Sequence, residues 1–223
     1  MKETTRKVVG RSPARTVRLI NLPHLQSTPI EAESSLERDF VHMAALFPLT
    51  KKITHQPFKM TLEEGRHYTP DFLVDFHDGS HLVVEVKPES KQYKFLHLFD
   101  QVRRDLARRN VKFIVANDRM LRNEGREERA LRIRRYGKSA CPLGQTQRAL
   151  DVLSKAPKGV MFGDLRAEGI DLATALHLIA RQRICTGNSL HFEDSDTVIS
   201  SEFLNMEEEH AIHFDCWSDA STR

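Results

Sequence analysis

The sequence predicts an α/β fold, a mixed sheet flanked by helices and followed by a small, mainly α-helical domain. Up to about residue 137, the hydrophobic pattern follows the order helix, strands, helix, strand, helix. A stretch containing glycine and proline occupies residues 137–144, and the composition changes after it. The 223 residues suffice for one large core, or for one domain and a smaller second one.

The first helix is predicted between about residues 27 and 48. Ser27 or Thr28 would cap it, Pro29 suits its first turn, and Pro48 follows its end. Its apolar residues recur at helical spacing: Leu36, Phe40, Met43 and Phe47.

Strands and further helices are predicted in the next segments. Residues 53–60 favour an edge strand because Pro57 cannot donate a hydrogen bond to a neighbouring strand. Residues 111–116 form a continuous apolar run, as in a buried strand. Helices are predicted at residues 90–110 and, rich in arginine, at residues 119–135.

A β-hairpin is predicted around Asp78-Gly79. A two-residue loop would place the apolar residues of its two strands on opposite faces. A three-residue loop, residues 77–79 with Gly79 in the left-handed conformation, pairs Phe72 with Val84 instead. All the apolar residues of the hairpin then share one face: Phe72, Val74, Phe76, Leu82, Val84 and Val86.

The same register sets Asp71 opposite Glu85, with Lys87 further along on that face. Opposed side chains lie roughly 5 Å apart, where two carboxylates repel unless a cation lies between them. Carboxylate oxygens suit Mg²⁺, and a lysine beside the metal can orient or deprotonate a water, or stabilise phosphate charge. The pattern therefore indicates a metal-dependent phosphodiester hydrolysis site. A solvated strand end, neutralised by Lys87, remains the alternative.

A third acid is expected from the first helix, whose apolar stripe packs on the sheet. Glu37 follows Leu36 at the edge of that stripe, where it could reach a site at the rim of the sheet. Glu33 is interpreted as a solvated acid of the first turn, favoured by the helix dipole.

Charge is unevenly distributed, although the formal net charge is only +3. Residues 1–22 form a basic arm, residues 103–138 are rich in arginine, and residues 193–219 are mainly acidic. We expect phosphate contacts from the arm and the arginine-rich helices, and a protein partner for the acidic end. A solvated surface would explain any single run equally well.

The composition, 39% hydrophobic and 29% charged, excludes a fibrous or disordered chain. Three widely separated cysteines, Cys141, Cys185 and Cys216, indicate neither a zinc site nor a disulfide framework. No apolar run approaches the roughly 20 residues that span a bilayer, and no signal-peptide core begins the chain. These features predict a cytoplasmic protein.

The last part of the chain is predicted to contain three helices and a hairpin. The helices fall near residues 149–153, 162–168 and 172–184, and the strands at residues 189–192 and 197–199. This order is typical of a winged-helix domain. The predicted organisation is a basic arm at residues 1–22, a main domain at 23–137, and a winged-helix-like domain with an acidic tail at 145–223.

Four short motifs follow one another along the chain: Ser34-Ser35-Leu36-Glu37, Thr69 to Asp75 with Asp78-Gly79, Glu85 to Pro88, and Asn205-Met206-Glu207-Glu208. Together they resemble the PD-(D/E)xK nuclease superfamily and, within it, the TnsA-type transposon endonucleases. Two details depart from the TnsA-type pattern towards the wider superfamily. Glu85 stands where that family has glutamine, and Pro70 is inserted before Asp71.

The resemblance implies a restriction-endonuclease-like fold and a subunit that cleaves the 5′ strands at transposon ends. A DDE transposase, TnsB-like, would act on the 3′ ends, and an ATP-dependent regulator, TnsC-like, would bind the C-terminal region. Glu37, Asp71 and Glu85 would bind Mg²⁺, for which Mn²⁺ could substitute, and Lys87 would activate water. Two alternatives stay open: a catalytically silent DNA-binding or assembly subunit, and a stand-alone restriction or repair nuclease.

Overall fold

The computed structural model describes residues 17–204 and 209–218. Most of the basic arm and the Asn205-Met206-Glu207-Glu208 motif lie outside the described residues. The first part of the chain contains β1 (Arg18–Ile20), β2 (Ile30–Ala32), α1 (Ser35–Ala44), β3 (Thr50–His55), β4 (Met60–Thr61), β5 (His67–Tyr68), β6 (Phe72–Phe76), β7 (His81–Val86), α2 (Glu89–Gln92), α3 (Leu96–Ala107), β8 (Lys112–Ala116), α4 (Asp118–Arg122) and α5 (Arg126–Tyr136). The second part contains α6 (Leu143–Ser154), β9 (Val160–Met161), α7 (Phe162–Ala167), α8 (Leu172–Ala180), β10 (Ile184–Thr186), β11 (Thr197–Ser200) and α9 (His210–Ser218).

The central sheet has four strands in the order β3-β6-β7-β8. The first two pairings are antiparallel and β7 runs parallel to β8, so the sheet is mixed, as the sequence predicts. β3 is an edge strand, but it ends at His55, before Pro57. β8 forms the other edge rather than a fully buried strand, and its Lys112 pairs with Asp215 of α9 at 2.8 Å.

The hairpin between β6 and β7 has the register that the apolar pattern predicts. Phe72 pairs with Val84, the Phe76 N–H donates to the Ser80 carbonyl, and Gly79 is left-handed with φ 84°. The six apolar residues of the hairpin all lie in one hydrophobic cluster, beneath α1. The three-residue loop thus aligns both strands on a single core.

The first helix begins later than the sequence predicts. Residues 30–32 form β2, which pairs with β1, and α1 starts at Ser35 with Ser34 as its cap. The Ser34 hydroxyl accepts the Glu37 N–H, because serine followed three residues later by glutamate makes a capping box. The predicted stripe is buried: Leu36, Phe40, Met43 and Phe47.

Two other predicted helices are interrupted. Residues 90–110 form α2, a 3-10 turn at Tyr93–Phe95, and then α3. The arginine-rich helix breaks into α4 and α5, because Glu124 and Gly125 adopt left-handed φ values of 51° and 73°. Each break changes the direction in which the following side chains project.

The second part of the chain has a three-stranded sheet in the order β10-β11-β9. The strand predicted at residues 189–192 is wrong, since β11 pairs instead with β10 at residues 184–186. α8 ends at Ala180, and Gln182 follows with φ 59°. The order of three helices and a hairpin is as expected, while the winged-helix assignment stays a prediction.

The hydrophobic clusters cross the expected boundary at residues 137–145. Ala130 and Ile133 of α5 pack with the second part of the chain, whereas Ala211 and Phe214 of α9 pack with the sheet and α1. The division into domains at 23–137 and 145–223 therefore stays a prediction. Within the described residues, none of the helices has the length and apolar character needed to cross a bilayer.

Candidate active site

The candidate site lies at one end of the β6–β7 pair. Asp71 immediately precedes β6, Glu85 lies in β7, and Lys87 follows β7. The register that joins Phe72 to Val84 sets Asp71 beside Glu85 one step further. The Val86 N–H donates to Asp71 Oδ2 at 2.8 Å, which fixes the aspartate against the neighbouring strand.

Asp71 is destabilised in its ionised form. Burial, followed by the negative charge of Glu85, raises the pKa of Asp71 to about 8. Glu37 acts in the same direction, whereas the Val86 N–H and Lys87 oppose the shift. A cation beside Asp71 would offset both burial and the charge of Glu85, which is why opposed carboxylates predict a cation site.

Glu85 is buried, and both of its carboxylate oxygens have partners. Lys87 Nζ lies 2.9 Å from Oε1, and the Tyr68 hydroxyl donates to Oε2 at 2.6 Å. Tyr68 comes from β5, outside the central sheet, and is itself buried. Burial and the charge of Glu85 raise the pKa of Tyr68, so this hydroxyl keeps its proton and acts as a donor.

Lys87 is held as an ammonium ion. Burial lowers its pKa, but the hydrogen bond to Glu85 and the charges of Glu85, Asp71 and Glu37 outweigh burial and raise it. In this arrangement Lys87 can orient a water or stabilise negative charge on a phosphate. A protonated amine cannot accept a proton, so Lys87 would first have to lose its own proton to deprotonate a water. That role stays a prediction.

Glu37 lies near the pair, but its carboxylate serves the start of α1. Oε1 accepts the Ser34 hydroxyl at 2.9 Å and Oε2 accepts the Glu33 N–H at 2.8 Å. The Nε2 atom of half-buried His55 lies 4.0 Å from Oε2. Glu33, expected on the first helical turn, lies outside the helix, and its Oε1 accepts a hydrogen bond from Gln56.

A cleft of about 520 Å³ opens beside these groups, between the start of α1 and the end of β7. Its lining combines apolar, anionic and cationic side chains: Ser34, Ser35, Leu36, Glu37, Val86, Lys87, Pro88, Lys91, Phe95, Asp118 and Arg122. It is large enough to admit part of a nucleic-acid backbone. Glu37 and Lys87 both face it, so a bound phosphate would lie beside the candidate site.

The carboxylates fit a divalent cation in part. Asp71 and Glu85 are adjacent, Lys87 pairs only with Glu85, and no described residue donates to Asp71 Oδ1. Mg²⁺ keeps several waters and accepts one or two protein carboxylates. In the described part of the chain, however, no three His, Cys, Asp or Glu side chains are arranged to hold a metal ion. Glu37 would have to leave its bonds at the helix start to join the pair.

The sequence does not identify Tyr68 and His55 as neighbours of the candidate site. Tyr68 contacts Glu85, which lies 17 residues later in the sequence, and His55 on β3 lies near Glu37 of α1. Neither contact leaves a local pattern, because each depends on how β3 and β5 fold beside the hairpin. The Nε2 atom of His55 is buried without a hydrogen-bond partner among the described residues.

Most of the arginines expected to contact phosphate have internal partners. Arg126 is buried and donates to the carbonyls of Trp217 and Ser218. Arg134 is buried against His42, and Arg122 pairs with the buried Asp39. The buried Arg126 and Arg134 thus join helices to their neighbours, whereas Arg122 also lines the cleft beside Lys87. The expected phosphate contacts of this segment stay a prediction.

The mixed sheet flanked by helices and the charged ends of its hairpin are consistent with an α/β nuclease. Residues 47–124 match the family model of the TnsA-like endonuclease N-terminal domain. The matched segment runs from before β3 to just after α4 and contains Asp71, Glu85 and Lys87, while Glu37 precedes it. The match confirms the resemblance to TnsA-type endonucleases over this segment. No curated protein sequence matches the chain.

Proposed function

We propose that this chain is the metal-dependent DNA endonuclease subunit of a heteromeric transposase. It would cleave the 5′ strands at transposon ends while a TnsB-like DDE transposase processes the 3′ ends. One observation carries the proposal: Asp71, Glu85 and Lys87 meet at the end of a hairpin that lies within the TnsA-like endonuclease segment.

Asp71 and Glu85 would hold the cation, with Glu37 as a third ligand once its carboxylate leaves the helix start. Bound Mg²⁺, or Mn²⁺ in its place, would supply positive charge for the phosphate and acidify a water. Tyr68 and Lys87 hold Glu85 in a fixed orientation. The ammonium group of Lys87 also stabilises the charge that builds on the phosphate as its P–O bond breaks.

The resemblance supports two protein partners and one nucleic-acid partner. Double-stranded DNA at the transposon end is the substrate, and the TnsB-like transposase is bound beside it. A TnsC-like, ATP-dependent regulator would bind the C-terminal region, where acidic residues predominate. Charge of that sign favours a partner with a basic surface.

A catalytically silent assembly subunit is the second candidate. Two observations favour it: no three candidate ligands are grouped within the described residues, and both oxygens of Glu37 accept hydrogen bonds at the start of α1. Such a subunit would bind DNA or the regulator through the same fold. It would leave the phosphodiester bond intact.

Mapping of strand breaks separates these candidates. The protein is mixed with its neighbouring transposase and regulator, a labelled transposon end and Mg²⁺, and compared with Asp71→Asn. Asp75→Asn is the matched control, because Asp75 lies on β6, which Asp71 precedes, but pairs with His81 at 2.8 Å. We expect 5′-strand nicks with the wild type and Asp75→Asn, and at least a hundredfold fewer with Asp71→Asn, roughly the loss when an essential charged group is removed.

Three other results would count against the proposal. Nicks that persist undiminished in Asp71→Asn would remove Asp71 from the mechanism. An absence of nicks in every sample, with binding to DNA or the regulator retained, would favour the silent subunit. Nicking by the protein alone, on DNA without transposon ends, would point to a stand-alone nuclease.

A further inference from the structure

Two large apolar side chains are exposed on the segment that follows β7. Tyr93 is 66% exposed and Leu96 is 59% exposed, and they are two of the five exposed large hydrophobic residues in the described part of the chain. We call residues 89–97 the rim segment. Single exposed hydrophobic residues are common on protein surfaces, but two so close together beside a charged cleft suggest a contact surface.

The inner side of the rim segment belongs to the cleft. Lys91 and Phe95 line the cleft together with Lys87 and Glu37. The Phe95 ring packs on Phe99 of α3, with ring centroids 5.8 Å apart, and Lys87 Nζ lies 5.3 Å from its centroid. One side of the segment is thus anchored beside the candidate active site, while Tyr93 and Leu96 face solvent.

The charge of the rim segment suits a polyanion. No ion pair joins Lys91 or Lys94 to an acidic side chain in the part of the chain that the structure describes, and Lys94 Nζ lies 5.6 Å from the centroid of the Tyr93 ring. Two acids lie at the start of the segment. Glu89 is 4.0 Å from Arg119, and Asp118 accepts the Glu89 N–H at 2.7 Å.

We propose that the rim segment binds the DNA duplex beside the bond that is cleaved. Lys91 and Lys94 contact backbone phosphates, while Tyr93 and Leu96 contact the sugars and base edges of the adjoining groove. Basic side chains interleaved with exposed apolar ones match the two chemical surfaces of DNA, its phosphates and its stacked bases. Continuity with the cleft that contains Lys87 places this contact next to the scissile phosphate, so the inference rests on the proposed function.

Fluorescence anisotropy with a labelled duplex carrying one transposon end tests this contact, in EDTA so that the strands stay intact. Lys91→Ala/Lys94→Ala should reduce the slope of log affinity against log salt by about 2, one for each lost phosphate contact. Tyr93→Ala should weaken binding roughly tenfold, the cost of losing one buried aromatic contact, and leave the slope unchanged, because an apolar contact with sugars and base edges releases no counterion.

Matched controls are available elsewhere on the surface. Lys51→Ala/Lys52→Ala removes two exposed cations from β3, and Leu143→Ala removes a side chain that is 81% exposed on α6. These variants should bind the duplex as the wild type does. Thermal melting of each variant checks that the fold is retained, which is expected because every substituted side chain is exposed.

Rim variants that bind the duplex as tightly as their controls, with the same salt slope, would overturn the inference. If those variants instead failed to bind the transposase or the regulator, the surface would be a protein interface. The nicking assay keeps the two proposals apart. If the wild type nicks the transposon end but the rim variants bind the duplex as their controls do, only this inference fails. If DNA binding depends on the rim segment but the wild type does not nick, only the endonuclease proposal fails.

Discussion

Tyr68 shows how a residue outside the charged motif determines the geometry within it. Among the described residues, the Tyr68 hydroxyl is the only group outside the central sheet that donates a hydrogen bond to Glu85. This bond is 2.6 Å long and buried. A carboxylate shared between a lysine and a tyrosine has little freedom to rotate. The orientation of Glu85 towards Asp71 is therefore set by β5 as well as by β7.

Replacing Tyr68 with phenylalanine should impair nicking without removing any candidate ligand. The Tyr68→Phe variant leaves Glu85 Oε2 without its donor, and loss of such a supporting bond typically costs roughly 10- to 100-fold in metal affinity or activity. The half-saturating Mg²⁺ concentration for nicking should rise. Tyr136→Phe, which alters a half-buried tyrosine on α5, is the control.

A purely structural role for Tyr68 would give a different result. Stability would fall by about 1 kcal/mol, the cost of a lost buried hydrogen bond. The Mg²⁺ dependence of nicking by the folded fraction would stay as in the wild type. That outcome would contradict the assignment of Tyr68 to the orientation of Glu85.

Part of this site could be predicted from the sequence. Only one loop length places all the apolar residues of the hairpin on one face, and that loop length sets Asp71 opposite Glu85. This argument needs only the sequence of the hairpin itself. The partners Tyr68 and His55 could not be predicted, because their contacts depend on the path of the chain between β3 and β6. The bonds of Glu37 were predictable in part, since Ser34 and Glu37 have the spacing of a capping box.

The contact between α1 and α5 depends on a buried cation. Arg134 on α5 donates to His42 Nδ1 on α1 at 2.5 Å and to the Asn21 carbonyl at 3.1 Å. Arginine has no acceptor, so the ring nitrogen that receives this bond must be unprotonated. Burial, followed by the charge of Arg134, lowers the pKa of His42 to about 3.

This contact should make the fold sensitive to acid. The pKa of His42 is about 3 in the folded chain and 6.5 in the reference state, so its contribution to stability is complete above pH 6.5. It is lost as the pH falls towards 3, because the unfolded chain binds a proton that the folded chain excludes. The free energy of unfolding should fall by about 1.4 kcal/mol per pH unit for this group within that interval.

Urea unfolding at several pH values below 6.5 measures this effect. His42→Asn should be less stable than the wild type at neutral pH but should lose stability less steeply as the pH falls. His97→Asn, at an exposed position on α3, is the control and should follow the wild type. Equal slopes for His42→Asn and the wild type would contradict a neutral, buried His42.

The element boundaries that the sequence missed have physical causes. Residues 30–32 form β2 instead of the first turn of the predicted helix, because they pair with residues 18–20 of β1. The arginine-rich helix breaks at Glu124, a residue that periodicity alone gives no reason to place in a left-handed conformation. The edge strand predicted at residues 53–60 overlaps β3, which is an edge strand but ends at His55, so Pro57 lies beyond it.

At the scale of the whole molecule, the last described helix returns to the nuclease-like core. The carboxylate of Asp78, in the hairpin turn, accepts the His210 N–H at the start of α9. Arg126 donates to the carbonyls of Trp217 and Ser218 at its end. Phe214 packs against Phe40, Phe47 and Phe76. A charge pattern could suggest an acidic tail, but it could not indicate that this helix completes a core formed by the first part of the chain.

The central claim is that Asp71 and Glu85 form a divalent-cation site. Electron paramagnetic resonance of free Mn²⁺ measures binding directly, with wild type, Asp71→Asn and the control Asp75→Asn titrated in parallel. The account predicts that the wild type and Asp75→Asn deplete free Mn²⁺ with the same affinity, whereas Asp71→Asn binds at least tenfold more weakly, a difference of about 1.4 kcal/mol. Equal depletion by all three proteins, or by none, would contradict it.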